Sequence, residues 1–553
     1  MVNFFQRLLK DYRKDILMWF VFISIALAFF AIEYKSVIIY DDWVQLIKDQ
    51  PFPIIGKRNR PLWYLAARIE SELFGFSITK YYFFEIFLLG CSAFLLFQIA
   101  YQFQRTKYRG ITSFFIGVFL ILYPIFSKYW LSAISGTWLF SALLPSFLIF
   151  QYYQKEKMVF LISATLTACI SLFIYESGLG LFLMMGLLVF FGLLQKAKPK
   201  QAFKMIVFFL GIALYLIWRF FIIGGALGRA HKSSDGTLFG LFLQKFFSAG
   251  KTTALSFLIG VDHYLNIDPS LTANLLAGFV ALIMVAGGLM RRKTQPDGML
   301  KKKNQEVRNE SFIIFFIGIL LFIAGLFPII LASTFSIKDI PNARYLLPSS
   351  IGMSIALVGG IRLLCSGLFF YPKIFHVVFS IFCILNLTLA GCALLAARQE
   401  FNYGWQIQKT IWQDMRAIAP AFQDGTTIVI HIPKTEMGTT FNILPLTYNW
   451  EARAAVQKLY ENPSLDAMVW IGDSRTEYRA DGIFHYGSML HEWNSAIIFL
   501  YDFNLQQLEL ITDQPNRIEL VQIPAGYQPV SHITEKENPQ FPYPKFELVQ
   551  ESN

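Results

Sequence analysis

The sequence predicts an α-helical polytopic membrane protein with a small α/β domain at its C-terminal side, and three observations carry that expectation. Over 553 residues the mean hydropathy is +0.47 and 17% of the residues are aromatic. Apolar runs of roughly 18–23 residues recur, each long enough to cross a bilayer as a helix. The basic residues that bring the net charge to +11 concentrate in short segments between those runs. That is the distribution the positive-inside rule produces, and it argues against nucleic acid as the reason for the charge.

About eleven spans are expected, near 16–33, 81–102, 110–127, 136–153, 158–174, 179–195, 205–224, 270–290, 312–334, 346–364 and 374–396. Arg7, Lys10, Arg13 and Lys14 precede the first, and Arg105, Lys107 and Arg109 follow the second. Lys155 and Lys157 follow the fourth, and Lys196, Lys198, Lys200 and Lys204 the sixth. Arg291, Arg292, Lys293, Lys301, Lys302, Lys303 and Arg308 follow the eighth. All fall on one face when the N-terminus is cytoplasmic. The first loop, the segments around 225–269 and 335–345, and the tail from about residue 400 then face outward. The first apolar run lacks a small-residue cleavage site and reads as an uncleaved anchor in the plasma membrane. The aromatic-rich composition and short loops read as bacterial. Cys91, Cys169, Cys365, Cys383 and Cys392 all lie in apolar runs without metal-type spacing, which is the pattern of small buried hydrophobes.

Two domains follow: 1–398, the membrane-spanning part, and 399–553, extracytoplasmic. In the second, β-rich runs such as "TTIVIHIP" and "SAIIFLYDF" alternate with helical stretches such as "WQIQKTIWQDMRAIAPAF".

Just beyond the first span stands "YDDW", with Asp41, Asp42 and Trp43. Charge at a membrane surface is costly enough to suggest function. Of two adjacent carboxylates, one accepts a proton while the other orients a group or opposes its neighbour's ionisation. Trp43 suits the interface and can either stack on a sugar ring or anchor in the headgroup belt. Lys57, Arg58 and Arg60 follow, with groups matched to phosphate oxygens. A carboxylate beside phosphate-binding cations fits a sugar carried on a lipid phosphate. The carboxylate would deprotonate an acceptor hydroxyl while the cations stabilise the departing phosphate. The bland alternative is a juxtamembrane helix cap beside residues that touch anionic lipid.

"YDDW", followed by "RPLWYLAARIESELFG", resembles the GT-C superfamily of polytopic glycosyltransferases, which includes protein O-mannosyltransferases and the aminoarabinose transferase of lipid A. "KYWLSAISGTWLFSALLPSFLIF", "YESGLGLFLMM" and "ARYLLPSSIGMSIALVGG" are similar to later segments of such proteins, so the likeness covers roughly residues 15–365. It implies a GT-C-like membrane fold and an inverting glycosyltransferase that uses polyprenyl-phosphate sugars on the outer face. It also implies that an aspartate of the first external loop is the base, here Asp41 or Asp42. A divalent cation, Mg or Mn, at those aspartates stays open, because some members need one and others do not. Where many relatives carry an acid in the second external loop, this chain has Lys128.

Glu176, in "FIYESGLG", sits between two apolar runs and is a candidate for the substrate cavity or for a turn cap. Arg219 and Arg344 are candidates to grip the lipid phosphate, with snorkelling to the interface as the alternative. Arg229, His231 and Lys232 read as a solvated loop. Asp262 and His263 lack a third metal ligand. Ser474, in "IGDSR", reads as turn chemistry, since Asp481 and His485 lack the spacing of lipid-type hydrolases. Expected partners are a polyprenyl-phosphate sugar donor, membrane lipids, and a glycan, lipid or protein acceptor. Two rival classes are a transporter or flippase of lipid-linked saccharides and a non-catalytic cell-envelope assembly protein.

Overall fold

The computed structural model describes residues 2–31, 61–74, 77–106, 108–123, 135–222, 300–331, 347–368, 372–432, 449–471, 476–479, 482–485, 488–492, 496–502, 507–510 and 521–522, with isolated residues at 243, 246–247 and 251. They fall in two compact units, the first carrying the apolar helices up to Arg398 and the second beginning at Gln399.

The first unit is a bundle. Its helices are α1 (Val2–Ala31), α2 (Pro61–Phe74), α3 (Ile78–Phe103), α4 (Arg109–Ile121), α5 (Ser135–Lys155), α6 (Met158–Ile174) and α7 (Leu179–Gln195). Next come α8 (Pro199–Lys204), α9 (Ile206–Ile217), α10 (Leu300–Leu331), α11 (Leu347–Leu368) and α12 (Pro372–Ile418), whose residues from Gln399 on belong to the second unit. Among the described residues five stretches are long and apolar enough to cross a membrane: Thr79–Phe103, Pro199–Ile217, Gln305–Phe327, Leu347–Ser366 and Val377–Leu395. Arg109–Ile121, Met158–Ile174 and Leu179–Gln195 are shorter apolar helices. The expected span at 270–290 lies outside the described residues.

The surface confirms the solvent. Val159, Ile162, Leu166 and Ile170 form an exposed stripe on α6, and Ile206, Leu210, Leu214 and Ile217 another on α9. Contiguous exposed apolar ridges at helical spacing are stable against lipid, not water. The chain is a multi-pass membrane protein.

Helix α3 runs antiparallel to α1. One end gathers the start of α3 and the end of α1, where the Tyr82 hydroxyl donates to the Phe30 carbonyl at 2.9 Å. At the opposite end Gln98 donates to Asp15 at 2.9 Å, and Tyr108 meets Phe375 with ring centroids 5.7 Å apart.

That opposite end is closed by a buried ion pair. Arg362 of α11 is fully buried. It donates to Glu310 Oε2 at 2.7 Å, to the Thr106 hydroxyl at 2.7 Å and to Gln104 Oε1 at 2.8 Å. Glu310 of α10 also accepts from the Thr106 hydroxyl at 2.6 Å and from the amides of Arg105 and Thr106 at 2.5 and 3.1 Å. One guanidinium thus ties the α3–α4 connection to α10 and α11, satisfying charges that would be prohibitive alone.

Helices α10 and α11 pack antiparallel at backbone contact. Gly318 and Gly325 face α11, and Gly352 and Gly359 face α10. A Cβ at Gly352 would lie 2.0 Å from the Phe322 amide nitrogen, so only glycine permits the approach.

The second unit contains α13 (Asn449–Leu459) and a four-stranded sheet of β2 (Thr427–Ile432), β3 (Asp466–Ile471), β7 (Ala496–Asp502) and β8 (Gln507–Leu510) in the order β3-β2-β7-β8. Strands β3 and β7 both pair parallel with β2, and β8 is antiparallel to β7. Every residue of β2 is buried, as expected for a central parallel strand covered on both faces. An antiparallel meander of β4 (Thr476–Arg479), β5 (Gly482–His485) and β6 (Ser488–Glu492) lies between β3 and β7 in the chain. The short strands β1 (Ala421–Phe422) and β9 (Val521–Gln522) pair with each other.

Candidate functional site

In "KYYFFEIFLLG" a single acid, Glu85, sits two turns inside the apolar helix α3 and is only 3% exposed. A carboxyl in such a place must be satisfied. Thr137 does this twice: its amide donates to Oε2 at 2.9 Å and its hydroxyl to Oε1 at 2.6 Å. The Gly136 amide adds a third bond. These amides belong to the first turn of α5, where no intrahelical acceptor exists, so Glu85 caps α5 from a neighbouring helix. The small residue of "SGTW" follows from this. A Cβ at Gly136 would stand 2.3 Å from the Glu85 carbonyl oxygen and 2.8 Å from its Oε2.

A second carboxyl joins from α2. Glu70 is half-buried and lies within electrostatic reach of Glu85. Burial, then the neighbouring Glu85 carboxylate, hold Glu70 well above the usual carboxylate range.

Beside Thr137 an aromatic platform begins. Trp138 stacks on Tyr175 with centroids 3.9 Å apart and planes 8° from parallel. Tyr175 ends α6, and the next residue, Glu176, opens a 3₁₀ turn of Glu176–Gly178 that leads into α7. Arg219 lies in a π-helical turn, Trp218–Ile222, that continues α9. Its Nη2 stands 3.9 Å from Glu176 Oε1, a charge pairing longer than a hydrogen bond. Phe173 and Trp218 pack edge to face at 4.7 Å and extend the aromatic wall. Single π turns of this kind recur at functional sites. Chemically, the arrangement offers carboxyl groups for proton transfer, a ring face for a sugar, and a guanidinium for an anion.

The structure therefore brings together two of the residues expected from sequence, Glu176 and Arg219. Asp41, Asp42, Trp43, Lys57, Arg58, Arg60 and Arg344 lie outside the described residues. Glu70 and Glu85 were not anticipated. The signal available for Glu85 was its position inside an apolar run, since an ionisable residue there is a functional candidate by default. Among the described residues no group of three His, Cys, Asp or Glu is arranged to hold a metal ion.

No protein-family model matches the chain. No curated protein matches it either. Among solved structures it is similar to that of ArnT from Cupriavidus metallidurans bound to undecaprenyl phosphate, with 12% identity over 82% of this chain and 84% of that one. The TM-score is 0.30, too low for the likeness to carry an argument about fold or chemistry. What stands on the chain's own residues is a multi-pass helical membrane protein that gathers two carboxyls, a stacked aromatic pair and an acid–arginine pair at one end of its bundle.

Proposed function

We propose that this protein is an integral-membrane glycosyltransferase, moving a sugar from a polyprenyl-phosphate donor to an acceptor on the outer face of the membrane. The observation that carries the reading is the convergence of Trp138, Tyr175, Glu176 and Arg219 at the end of apolar helices. A carbohydrate ring, a phosphate and a lipid tail are the three chemistries those surfaces suit. The order of the sequence motifs from "YDDW" to "ARYLLPSS" supports the same reading.

In this account one of Asp41 and Asp42 takes the proton of an acceptor hydroxyl. The oxygen attacks the anomeric carbon, the bond from that carbon to the phosphate oxygen breaks, and the polyprenyl phosphate leaves with the electron pair. Inversion follows from a single displacement. Arg219, with Arg60 and Arg344, stabilises the charge that develops on the leaving phosphate. Lys57 and Arg58 add positive potential, Trp43 offers a further ring face, and the C-terminal domain selects or presents the acceptor.

The test is carrier binding. Wild-type protein in nanodiscs should bind a polyprenyl phosphate at least tenfold more tightly than Arg219→Gln, with Arg219→Lys in between. Equal affinity in all three would remove Arg219 from the phosphate site. A second reading, a proton-coupled flippase of lipid-linked saccharides, draws on the buried Glu85 and the half-buried Glu70 beside it. It predicts carrier movement between leaflets without sugar transfer.

A further inference from the structure

Two connections in the bundle share one three-residue pattern. Helix α5 passes to α6 through Lys155, Glu156 and Lys157, and α7 passes to α8 through Lys196, Ala197 and Lys198. In each the middle residue is left-handed, Glu156 with φ 58° and Ala197 with φ 55°. That conformation normally falls to glycine, because a Cβ is crowded there. Capping bonds hold it here. The Glu156 amide donates to the Tyr152 carbonyl at 2.7 Å, and the Lys198 amide reaches back to the Leu193 carbonyl at 3.0 Å, the long bond of a Schellman cap.

The two turns lie against each other. Lys198 pairs with Glu156. The Lys196 ammonium stands 3.6 Å from the centre of the Tyr153 ring and donates to the Tyr153 carbonyl at 3.3 Å. The Tyr152 hydroxyl donates to the Gln201 carbonyl at 2.9 Å. Lys155 lies over the Phe160 ring, 5.0 Å from its centre. Three of the four turn lysines are thus held by a ring face or a carboxylate, which leaves less side-chain freedom to lose when an anion binds.

Charge at this end is one-sided. Residues 151–158 and 194–206 carry six lysines, the four of the turns with Lys200 and Lys204, against the single acid Glu156. All six are exposed. So are the apolar side chains of Met158 and Val159 beside the first turn, and of Leu194, Phe203 and Ile206 beside the second. Cations bordered by exposed apolar side chains match a phosphate layer with acyl chains beneath it.

We propose that the paired Lys-x-Lys turns form a binding site for the headgroup of an anionic phospholipid, whose phosphate is shared by lysines of both turns. The site lies at the opposite end of α5 and α6 from the Trp138–Tyr175 stack, and the inference does not depend on the reaction proposed above. The positive-inside rule alone would place lysines here without any site. What sets these turns apart is that they are tied to each other and hold their lysines in place, so the test compares them with equal charge elsewhere in the sequence.

The experiment titrates phosphatidylglycerol into the full-length protein in a neutral phosphocholine detergent and counts bound lipid by native mass spectrometry. Lys155→Gln/Lys157→Gln/Lys196→Gln, which spares the Lys198–Glu156 pair, should weaken binding by about tenfold or more. Lys301→Gln/Lys302→Gln/Lys303→Gln loses the same charge and should bind as wild type does. Unchanged affinity in the turn variant, or an equal loss in the control, would overturn the proposal. Should the turn variant not fold, labelling of wild-type lysines by an amine-reactive ester decides, in phosphatidylcholine nanodiscs with and without phosphatidylglycerol. Stronger protection by phosphatidylglycerol at Lys155, Lys157 and Lys196 than at Lys301, Lys302 and Lys303 supports the site. Reactivity that is equal in the two bilayers, or that falls equally at both segments, refutes it.

Discussion

The Arg362–Glu310 pair should fail asymmetrically. Removing one partner of a buried ion pair costs about 3–5 kcal/mol, because a charge is left without compensation. The two partners are not equally dependent on each other. If Arg362→Leu is made, Glu310 keeps the Thr106 hydroxyl and two backbone amides, and its side chain is 13% exposed. Its cost belongs at the low end, about 3 kcal/mol. Glu310→Leu instead strands a guanidinium of zero exposure with only the neutral oxygens of Gln104 and Thr106. That loss belongs at the high end, about 5 kcal/mol. The double variant removes both charges and should cost no more than about 5 kcal/mol, a coupling of about 3 kcal/mol. The assay is reversible unfolding of the bundle in mixed micelles, followed by helical circular dichroism. A cheaper Glu310→Leu than Arg362→Leu, or single effects that simply add, would refute the reasoning.

Three further outcomes follow from the packing. Gly352→Leu should separate α10 from α11, since even a Cβ there lies 2.0 Å from the Phe322 nitrogen; the loss should exceed about 3 kcal/mol in the same micelle assay. Glu85→Ala should cost about 2 kcal/mol through the lost cap on α5, and Glu85→Gln, which keeps an acceptor, roughly half as much by the same measure. His431, buried in β2, has its pKa pushed down to about 3 by burial. Its neutral form is favoured in the folded state, so its full stability is present above about pH 6.5 and falls as the unfolded chain takes up a proton. At about pH 5 the loss should be about 2 kcal/mol, levelling off below about pH 3. His431→Leu should flatten that acid limb, read by near-ultraviolet circular dichroism of the full chain.

Helix positions were legible where hydropathy alone decides. The expected segments 158–174 and 179–195 coincide with α6 and α7, whose composition leaves no other reading. Helix α4 stops at Ile121, short of the expected 127, and Pro124 disfavours helical backbone just before it. Helix α12 runs from Pro372 to Ile418 without a break, although the sequence separates a span ending near 396 from a later helix. The intervening "ARQEFNYG" is polar but contains no proline, so composition changes there while the backbone does not. The site was harder to read because its contacts are non-local. Glu85 meets Thr137 across 52 residues and Arg362 meets Gln104 across 258, distances at which no local pattern records a partner. Glu176 and Arg219 were visible one at a time as charges at span ends. Their pairing required the π turn after α9, which no sequence feature announces.

The most direct test of the central claim is sugar transfer from a panel of radiolabelled polyprenyl-phosphate sugars by the full-length protein in nanodiscs, beside Asp41→Asn and Asp42→Asn. The account predicts transfer by wild type and its loss in one aspartate variant that still binds the carrier. Transfer undiminished in both variants, or carrier binding by wild type with no transfer from any member of the panel, would contradict it.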